Sequence, residues 1–185
     1  MKIALAGNPN SGKSTLFNSL TGLNQQVGNY PGITVDKKTG TCNLSSNIKA
    51  EIIDLPGTYS LYPKSLDEKV SQDILCDITN SDYPEVTVII ADSSNLRKSL
   101  LLLSQIIDLK MKVVLALNML DVSRDLGIVI DKDVLSEELG IPVVSINARK
   151  QKGIQDLKDT ILRVKTPKKT IFSVVRYGNV MNSRG

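Results

Sequence analysis

Lys2-Ile3-Ala4-Leu5-Ala6, a short apolar run, leads straight into Gly7-Asn8-Pro9-Asn10-Ser11-Gly12-Lys13-Ser14. The second stretch matches G-x-x-x-x-G-K-[ST], which average residue usage produces in about one per cent of chains this long. Its setting argues against chance. The run ending at Ala6 reads as a buried strand, and residues 12–21 read as a helix with Leu16, Phe17 and Leu20 on one face. A strand, a glycine-bearing turn and a helix start are the parts of a phosphate-binding loop. Glycine lets the backbone curl so that successive N–H groups face phosphate oxygens at the positive end of the helix. Lys13 is expected to set its ammonium against the β and γ phosphates, and Ser14 to ligate Mg²⁺ through its hydroxyl. Gly7, Asn8, Pro9, Asn10, Ser11, Gly12, Lys13, Ser14 and Thr15 are the expected nucleotide contacts here.

Apolar runs and amphipathic stretches alternate through the rest of the chain. Residues 23–38 form a Gly/Pro/Asn-rich loop. TGTCNL (39–44) and KAEIIDL (49–55) read as strands around the turn Ser45–Asn47. A long loop with a possible helix runs from Lys64 to Asn80. Then come VTVIIAD (86–92), a helix over 97–109, KVVLALN (112–118), a helix over 131–139, PVVSIN (142–147) and a helix over 153–164. Val- and Ile-rich strands without alternation are buried on both faces, as in a parallel sheet covered by helices. The rhythm predicts a doubly wound α/β fold with its ligand at the C-terminal ends of the strands. Strands 39–44 and 49–55 are joined too tightly for a helical crossover, so an antiparallel hairpin is expected at one edge.

Three further segments end strands or lie in loops. Asn118-Met119-Leu120-Asp121 follows KVVLAL. N-x-x-D alone recurs by chance in about a third of chains, so its position after a strand carries the argument. A carboxylate at Asp121 can accept from guanine N1–H and N2–H₂. Adenine offers no such donor pair and would leave the carboxylate unpaired. Asn118 would brace the loop and reach the base, with Met119 beside it. Asn147-Ala148-Arg149, after PVVSI, could offer the Ala148 backbone N–H to guanine O6. Asp54, in Asp54-Leu55-Pro56-Gly57, can hold Mg²⁺ through a water, and the Gly57 N–H can meet the γ-phosphate. In the loop Asn29-Tyr30-Pro31-Gly32-Ile33-Thr34, Thr34 is the favoured threonine for Mg²⁺, with Gly32 beside it. Thr39 and Thr41 are rivals, but fall in a predicted strand.

Composition limits the chemistry. The chain has 185 residues, 41 % hydrophobic and 23 % charged, which suits one ordinary globular domain. It has no His, so a His-ligated zinc site and a Ser-His-Asp triad are excluded. Cys42 and Cys76 are far apart and read as a strand and a helix residue, not as a ligand pair. No apolar run approaches the roughly 18–20 residues of a membrane span, and a reducing, cytosolic setting is expected. Residues 1–148 carry 13 Lys and Arg against 17 Asp and Glu, a net of −4. Residues 149–185 carry 10 against 2, a net of +8. That basic end reads either as a solvated helix face with a linker or as a surface for nucleic acid or anionic membrane.

Gly7–Ser14, Thr34, Asp54–Gly57, Asn118–Asp121 and Asn147–Ala148 stand in the order of a Ras-like P-loop GTPase. More narrowly, GNPNSGKSTLFN, VGNYPGITVDKKTG, DLPGTYSL, SLDEKVSQD and ALNMLD resemble the cytosolic G domain of the bacterial ferrous iron transport protein B (FeoB) family. The resemblance implies a six-stranded, mostly parallel sheet of order 2-3-1-4-5-6 with one antiparallel edge strand and helices on both faces. It implies a GTP-binding domain over residues 1–165. Residues 166–185 then form a basic linker or the truncated start of the helical domain that follows in that family. The family's membrane domain would be the partner, on the cytoplasmic face of the bacterial inner membrane, with an oligomer of the full transporter possible. Asn147 stands where the family more often has Ser. Thr58 and Tyr59 occupy the region where many GTPases place a water-orienting Gln, which implies slow intrinsic hydrolysis. Asn10 matches the residue that holds an activating K⁺ in related G proteins, so Lys13, Asn10, Thr34 and Gly57 are expected at the reaction centre.

Three functions follow from this reading. The first is GTP hydrolysis that gates or regulates ferrous iron uptake. The second is a K⁺-activated tRNA-modification or ribosome-assembly type of GTPase, although this chain carries no separate RNA-binding domain and nucleic acid is not expected as a partner. The third is a GTP-dependent interaction module with negligible hydrolysis. No iron-ligand spacing is present, and the transport reading rests on the resemblance.

Overall fold

Non-alternating apolar runs become strands covered on both faces, as their pattern requires. A computed structural model describes residues 1–168. Its elements run β1 (Lys2–Gly7), α1 (Lys13–Thr21), β2 (Gln25–Asn29), β3 (Asp36–Ser45), β4 (Ile48–Asp54), α2 (Leu66–Cys76), β5 (Val86–Asp92), a 3-10 turn (Ser93–Asn95), α3 (Leu96–Asp108), β6 (Val113–Asn118), α4 (Leu120–Asp125), α5 (Lys132–Leu139), β7 (Val143–Ser145) and α6 (Ile154–Arg163). Among the described residues the strands form one sheet of order β2-β3-β4-β1-β5-β6-β7. β1 pairs in parallel with β4 and β5, and β5–β6 and β6–β7 are parallel too. β3 runs antiparallel to both of its neighbours.

The expected α/β architecture and strand order are found, with one addition. Gln25–Asn29, read as part of the 23–38 loop, is a seventh strand that moves the hairpin strand β3 one place in from the edge. All five of its residues are exposed. It is held by backbone pairing to Asp36–Gly40, so it carries no apolar periodicity to read. β3 also begins earlier than expected, at Asp36, and the short helix α4 follows the N-x-x-D strand where none was expected. The possible helix in 64–80 is α2. Its start is fixed by Ser65, which accepts from the Glu68 N–H, while Glu68 accepts from the Lys64 N–H at 2.7 Å. Cys42 lies buried in β3 and Cys76 exposed at the end of α2, both free.

The sheet separates two apolar cores. On one face Leu102, Leu103, Ile106 and Ile107 of α3 and Val70 and Ile74 of α2 cover Ala4, Ile53, Ile89 and Leu115. On the other, Leu16, Phe17 and Leu20 of α1 with Leu157 and Ile161 of α6 cover Ile3, Leu5, Ile52, Val88 and Val114. Successive residues of the central strands therefore serve opposite cores. No helix among the described residues is long and apolar enough to cross a membrane. The expected linker is described only as far as residue 168; residues 169–185 lie outside the described residues.

Leu115→Ala, in the middle of β6 and without exposure, is expected to cost about 2–5 kcal/mol. The readout is a lower urea midpoint at unchanged slope. Val27→Thr, on the exposed edge strand, is expected to stay within about 0.5 kcal/mol.

Candidate functional site

β1 delivers the chain to the top of the sheet at Gly7, and the loop that follows turns sharply into α1. Asn10 (φ 66°) and Gly12 (φ 91°) both take left-handed backbone. Space as well as torsion demands glycine at two positions. A Cβ on Gly7 would sit 2.5 Å from the Ile90 carbonyl oxygen, and one on Gly12 would sit 2.2 Å from Asn118 Nδ2. The loop is held from behind. Asn8, nearly buried, donates through Nδ2 to Ser99 Oγ at 3.3 Å, and the Thr58 N–H donates to the Gly7 carbonyl at 3.1 Å.

Lys13, the first residue of α1, forms an ion pair with Asp54 at the end of β4. Ser14 donates to the other carboxylate oxygen at 3.3 Å. The side chains of Lys13 and Asp54 are 10 % and 5 % exposed, so the pair is largely shielded from water. The ammonium that the sequence assigns to phosphates thus engages the carboxylate beside them. Thr34 lines the same cavity as Lys13, Ser14 and Asp54. Thr34, Ser14 and Asp54 together present hard oxygen donors, the chemistry that suits Mg²⁺. Gly32 lies in the turn leading to Thr34 with left-handed backbone (φ 78°) and is not among the residues lining that cavity. An adjoining cleft is lined by Asn8, Pro9, Asn10, Gly12, Lys13, Ser14, Thr15 and Gly57. Asn10, whose neutral side-chain amide carries an oxygen of the type that suits a monovalent cation, is among the residues that line that cleft.

The loop that carries Thr34 and the segment that follows Gly57 are tied down by contacts that the sequence did not announce. Tyr30 is buried, and burial, reinforced by Asp82 and Asp54, pushes its hydroxyl well above the usual tyrosine range. Lys37 pairs with Asp82 at 2.5 Å and lies 5.7 Å from the centre of the Tyr30 ring. This fixes the stem of the Thr34 loop to the connection between α2 and β5. Beyond Gly57, the Leu61 N–H donates to Gln105 Oε1 of α3 at 2.7 Å, and Ser71 of α2 donates to the Pro56 carbonyl at 2.9 Å. Ser65, Asp67 and Glu68 at the start of α2 also line the phosphate cleft. Residues 64–80 read as a long loop with a possible helix, and nothing in them gave a sign of where the start of that helix would point.

On the far side of the loop, Asn118 joins three segments. Its Nδ2 donates to the Ser11 carbonyl at 3.1 Å, and its Oδ1 accepts from the Ala148 N–H at 3.2 Å. Met119, in left-handed backbone, and Asp121, in the first turn of α4, line a second cavity with Gly12, Thr15, Asn147, Arg149 and Lys150. Arg149 and Lys150 were not singled out as site residues, because exposed cations after a strand carry no distinguishing pattern. Ala148 is buried, and its N–H is already engaged by Asn118. Asp121 accepts from the Val122 N–H at 3.2 Å and from Asn147 Nδ2 at 3.0 Å, with Lys150 Nζ 3.6 Å away. The Val122 N–H and then the Lys150 ammonium hold its carboxyl below the usual carboxylate range. The two cavities share Gly12, Thr15 and Met119, so together they make one elongated cleft across the C-terminal ends of β1, β4 and β6. Among the described residues no group of three or more His, Cys, Asp or Glu side chains is arranged to hold a metal.

Comparison with known proteins agrees with this geometry. The G domain of the T. maritima FeoB iron transporter superposes with a TM-score of 0.80 at 41 % identity, covering 88 % of this chain and 97 % of that one. The cytosolic domain of the same transporter in its GMPPNP form gives a TM-score of 0.82 at 42 % identity, covering 88 % and 63 %. The Fe(2+) transporter FeoB of Escherichia coli (strain K12) is 41 % identical over 165 residues. That alignment takes in 89 % of this chain and 21 % of the transporter, so the chain spans about a fifth of the length of such curated relatives. Residues 1–161 match the family described as ferrous iron transport protein B, and with the Ras-like G-domain fold and the cleft in place, the chain belongs to that family.

Proposed function

We propose that this chain binds and hydrolyses GTP, and that it does so as the regulatory domain of a ferrous iron uptake protein of the cell membrane. The observation that carries the reading is the single cleft, with a phosphate-loop lysine and serine at one end and Asp121 at the other. Residues 1–165 are the GTP-binding unit in this reading, and the basic stretch 166–185 leads towards further domains. The partner is a membrane transport domain, which puts the chain at the cytoplasmic face of a bacterial inner membrane. The relative solved with GMPPNP supports nucleoside triphosphate binding.

Phosphoryl transfer needs positioning and charge neutralisation more than covalent help from the protein. The N–H groups of the Asn8–Ser14 loop and the Lys13 ammonium would bind the phosphates, with Asp54 releasing Lys13 to them. Ser14, Thr34 and Asp54 would hold Mg²⁺, which supplies positive charge across the β and γ phosphates. The Gly57 N–H would meet the γ-phosphate, and Asp121 would accept from the guanine base with Asn118 bracing it. For the Ala148 N–H to reach guanine O6 it must share or leave Asn118 Oδ1. No glutamine follows Gly57, so the intrinsic rate should be slow. Asn10 would hold K⁺, which supplies a charge near the β–γ bridge in place of an arginine.

The first test is the GTP hydrolysis rate in KCl and in NaCl at equal ionic strength. A clear rise in KCl that Asn10→Ala abolishes is expected. Undiminished K⁺ stimulation in that variant removes Asn10 from the reaction centre, and equal near-zero rates in both salts leave a binding switch without catalysis. Lys13→Ala is expected to weaken GTP binding by about tenfold or more, and unchanged affinity contradicts the whole reading. The depressed Asp121 carboxyl stays ionised well into the acid range. The preference for GDP over ADP, in which the titration of the shared terminal phosphate near pH 6 cancels, is therefore expected to be flat from about pH 8 to pH 5 and to fall only below the ordinary carboxylate range. Paired GDP and ADP titrations that show this preference dropping between about pH 7 and pH 5 contradict that assignment.

A further inference from the structure

The loop that carries Thr34 has little of the sheet to hold it. Among the described residues, β4 pairs with β3 only from Lys38 onward, where Lys38 stands opposite Asp54. Asp36 and Lys37 pair with Asn29 and Gly28 of β2, a strand exposed along its whole length. The tip between the two strands closes on itself. The Tyr30 N–H donates to the Val35 carbonyl at 3.0 Å, and the Ile33 N–H to the Tyr30 carbonyl at 3.2 Å. Tyr30 and Val35 are buried in the core that α2 covers, while Pro31, Gly32 and Thr34 stand exposed.

Apolar burial is non-directional, so these two anchors hold the tip against the body without fixing where its stem lies. Lys37, three residues past Thr34, fixes it. Its ammonium meets Asp82 Oδ2 at 2.5 Å, with side chains 27 % and 12 % exposed. Water and salt screen a pair so placed only in part. Asp82 is itself held in a turn: its N–H donates to Asn80 Oδ1 at 2.8 Å, and the Tyr83 N–H donates to the Asn80 carbonyl at 3.0 Å. The same ammonium lies 5.7 Å from the centre of the Tyr30 ring, within the range of a cation–π contact. One cation therefore joins the root of the loop to the connection between α2 and β5.

A metal ligand on an exposed loop must be ordered when it binds, and that ordering weakens binding unless the loop is held beforehand. Thr34 already lines the cavity with Ser14 and Asp54. We propose that Lys37 is a positioning residue for Thr34: its ion pair with Asp82 latches the loop so that the threonine is held beside Ser14 and Asp54 before nucleotide arrives. The proposal rests on the reading above in which Thr34 holds Mg²⁺. The phosphate loop and the Asp121 end of the cleft serve diphosphate and triphosphate alike, whereas Thr34 serves the triphosphate. The latch therefore favours the triphosphate form.

The test variants are Lys37→Met, which keeps roughly the length of the side chain and removes its charge, and Asp82→Asn. The measurement is the equilibrium affinity for GMPPNP and for GDP, both with Mg²⁺. The ratio of the two affinities is expected to shift about fivefold against GMPPNP in each variant, with GDP binding unchanged. Lys37→Arg, which keeps the charge, is expected to keep the ratio. The thermal midpoint confirms folding, and Asp82→Asn carries the test if Lys37→Met fails to fold. An unaltered ratio in the folded variants, with both nucleotides weakened by one factor or neither weakened, overturns the proposal. So does a Lys37→Arg ratio as low as that of Lys37→Met. Thr34→Ala measured alongside separates the two levels. If Thr34→Ala also keeps the ratio, the Mg²⁺ reading of Thr34 fails and the latch has nothing to position. If Thr34→Ala lowers the ratio while the Lys37 and Asp82 variants do not, the latch alone fails.

Discussion

The buried carboxamide of Asn118 holds together loops that leave the sheet at three different strands. It sits at the end of β6, grips the loop after β1 through the Ser11 carbonyl, and holds the loop after β7 through the Ala148 N–H. It also fixes which residue can stand at position 12, because its amide nitrogen fills the space that any side chain there would need. A buried polar group that met only one partner would cost stability rather than add it. Asn118 satisfies donor and acceptor together, so these loops are ordered by the same rigid strand end. The Lys13 end and the Asp121 end of the cleft consequently keep a fixed separation, as the proposed nucleotide, with its phosphates at one end and its base at the other, requires.

On the other side of β1 the corresponding link is electrostatic. The sheet order puts β4 next to β1, and Asp54 at the end of β4 reaches both Lys13 and Ser14 at the start of α1. Lys13 and Asp54 are nearly withdrawn from water, where losing either partner would leave an uncompensated charge. Asn118 and Asp54 therefore flank the phosphate loop from opposite sides of β1, one through neutral hydrogen bonds from β6 and one through charge from β4. The charged link is the one that a polyanion can replace, since phosphate oxygens compete for the same ammonium and a cation competes for the same carboxylate.

The legible parts of this chain were those where burial or an invariant torsional demand left a mark on residue type. Central strands appeared as unbroken Val and Ile runs, α1 as Leu16, Phe17 and Leu20 on one face, and the phosphate loop as glycines with a lysine. β2 was invisible because its five exposed residues are held by backbone alone. α4 was too short to show a period. Gln105, Asp82 and Lys150 could not be placed because their partners are distant in sequence, and nothing local distinguishes a glutamine that accepts from Leu61 from one that faces solvent. Asn147 was legible as part of a loop but not as the partner of Asp121, since that contact depends on how the ends of β6 and β7 lie side by side.

The first strand of the chain occupies the middle of the sheet, with Ile3 paired to Ile52 on one side and to Val86 on the other. During synthesis, the apolar run Lys2–Gly7 emerges from the ribosome long before either neighbour exists. It must wait about eighty residues for its second edge to close, at a synthesis rate of about 5–20 residues per second. The hairpin of β3 and β4 can form from local chain alone, whereas β1 depends on long-range pairing that is intrinsically slow. The phosphate loop is thus translated before the strands that flank it and is among the last parts of this domain to acquire its working shape. A nascent chain of this protein offers no nucleotide pocket until β6 and Asn118 have also cleared the exit tunnel.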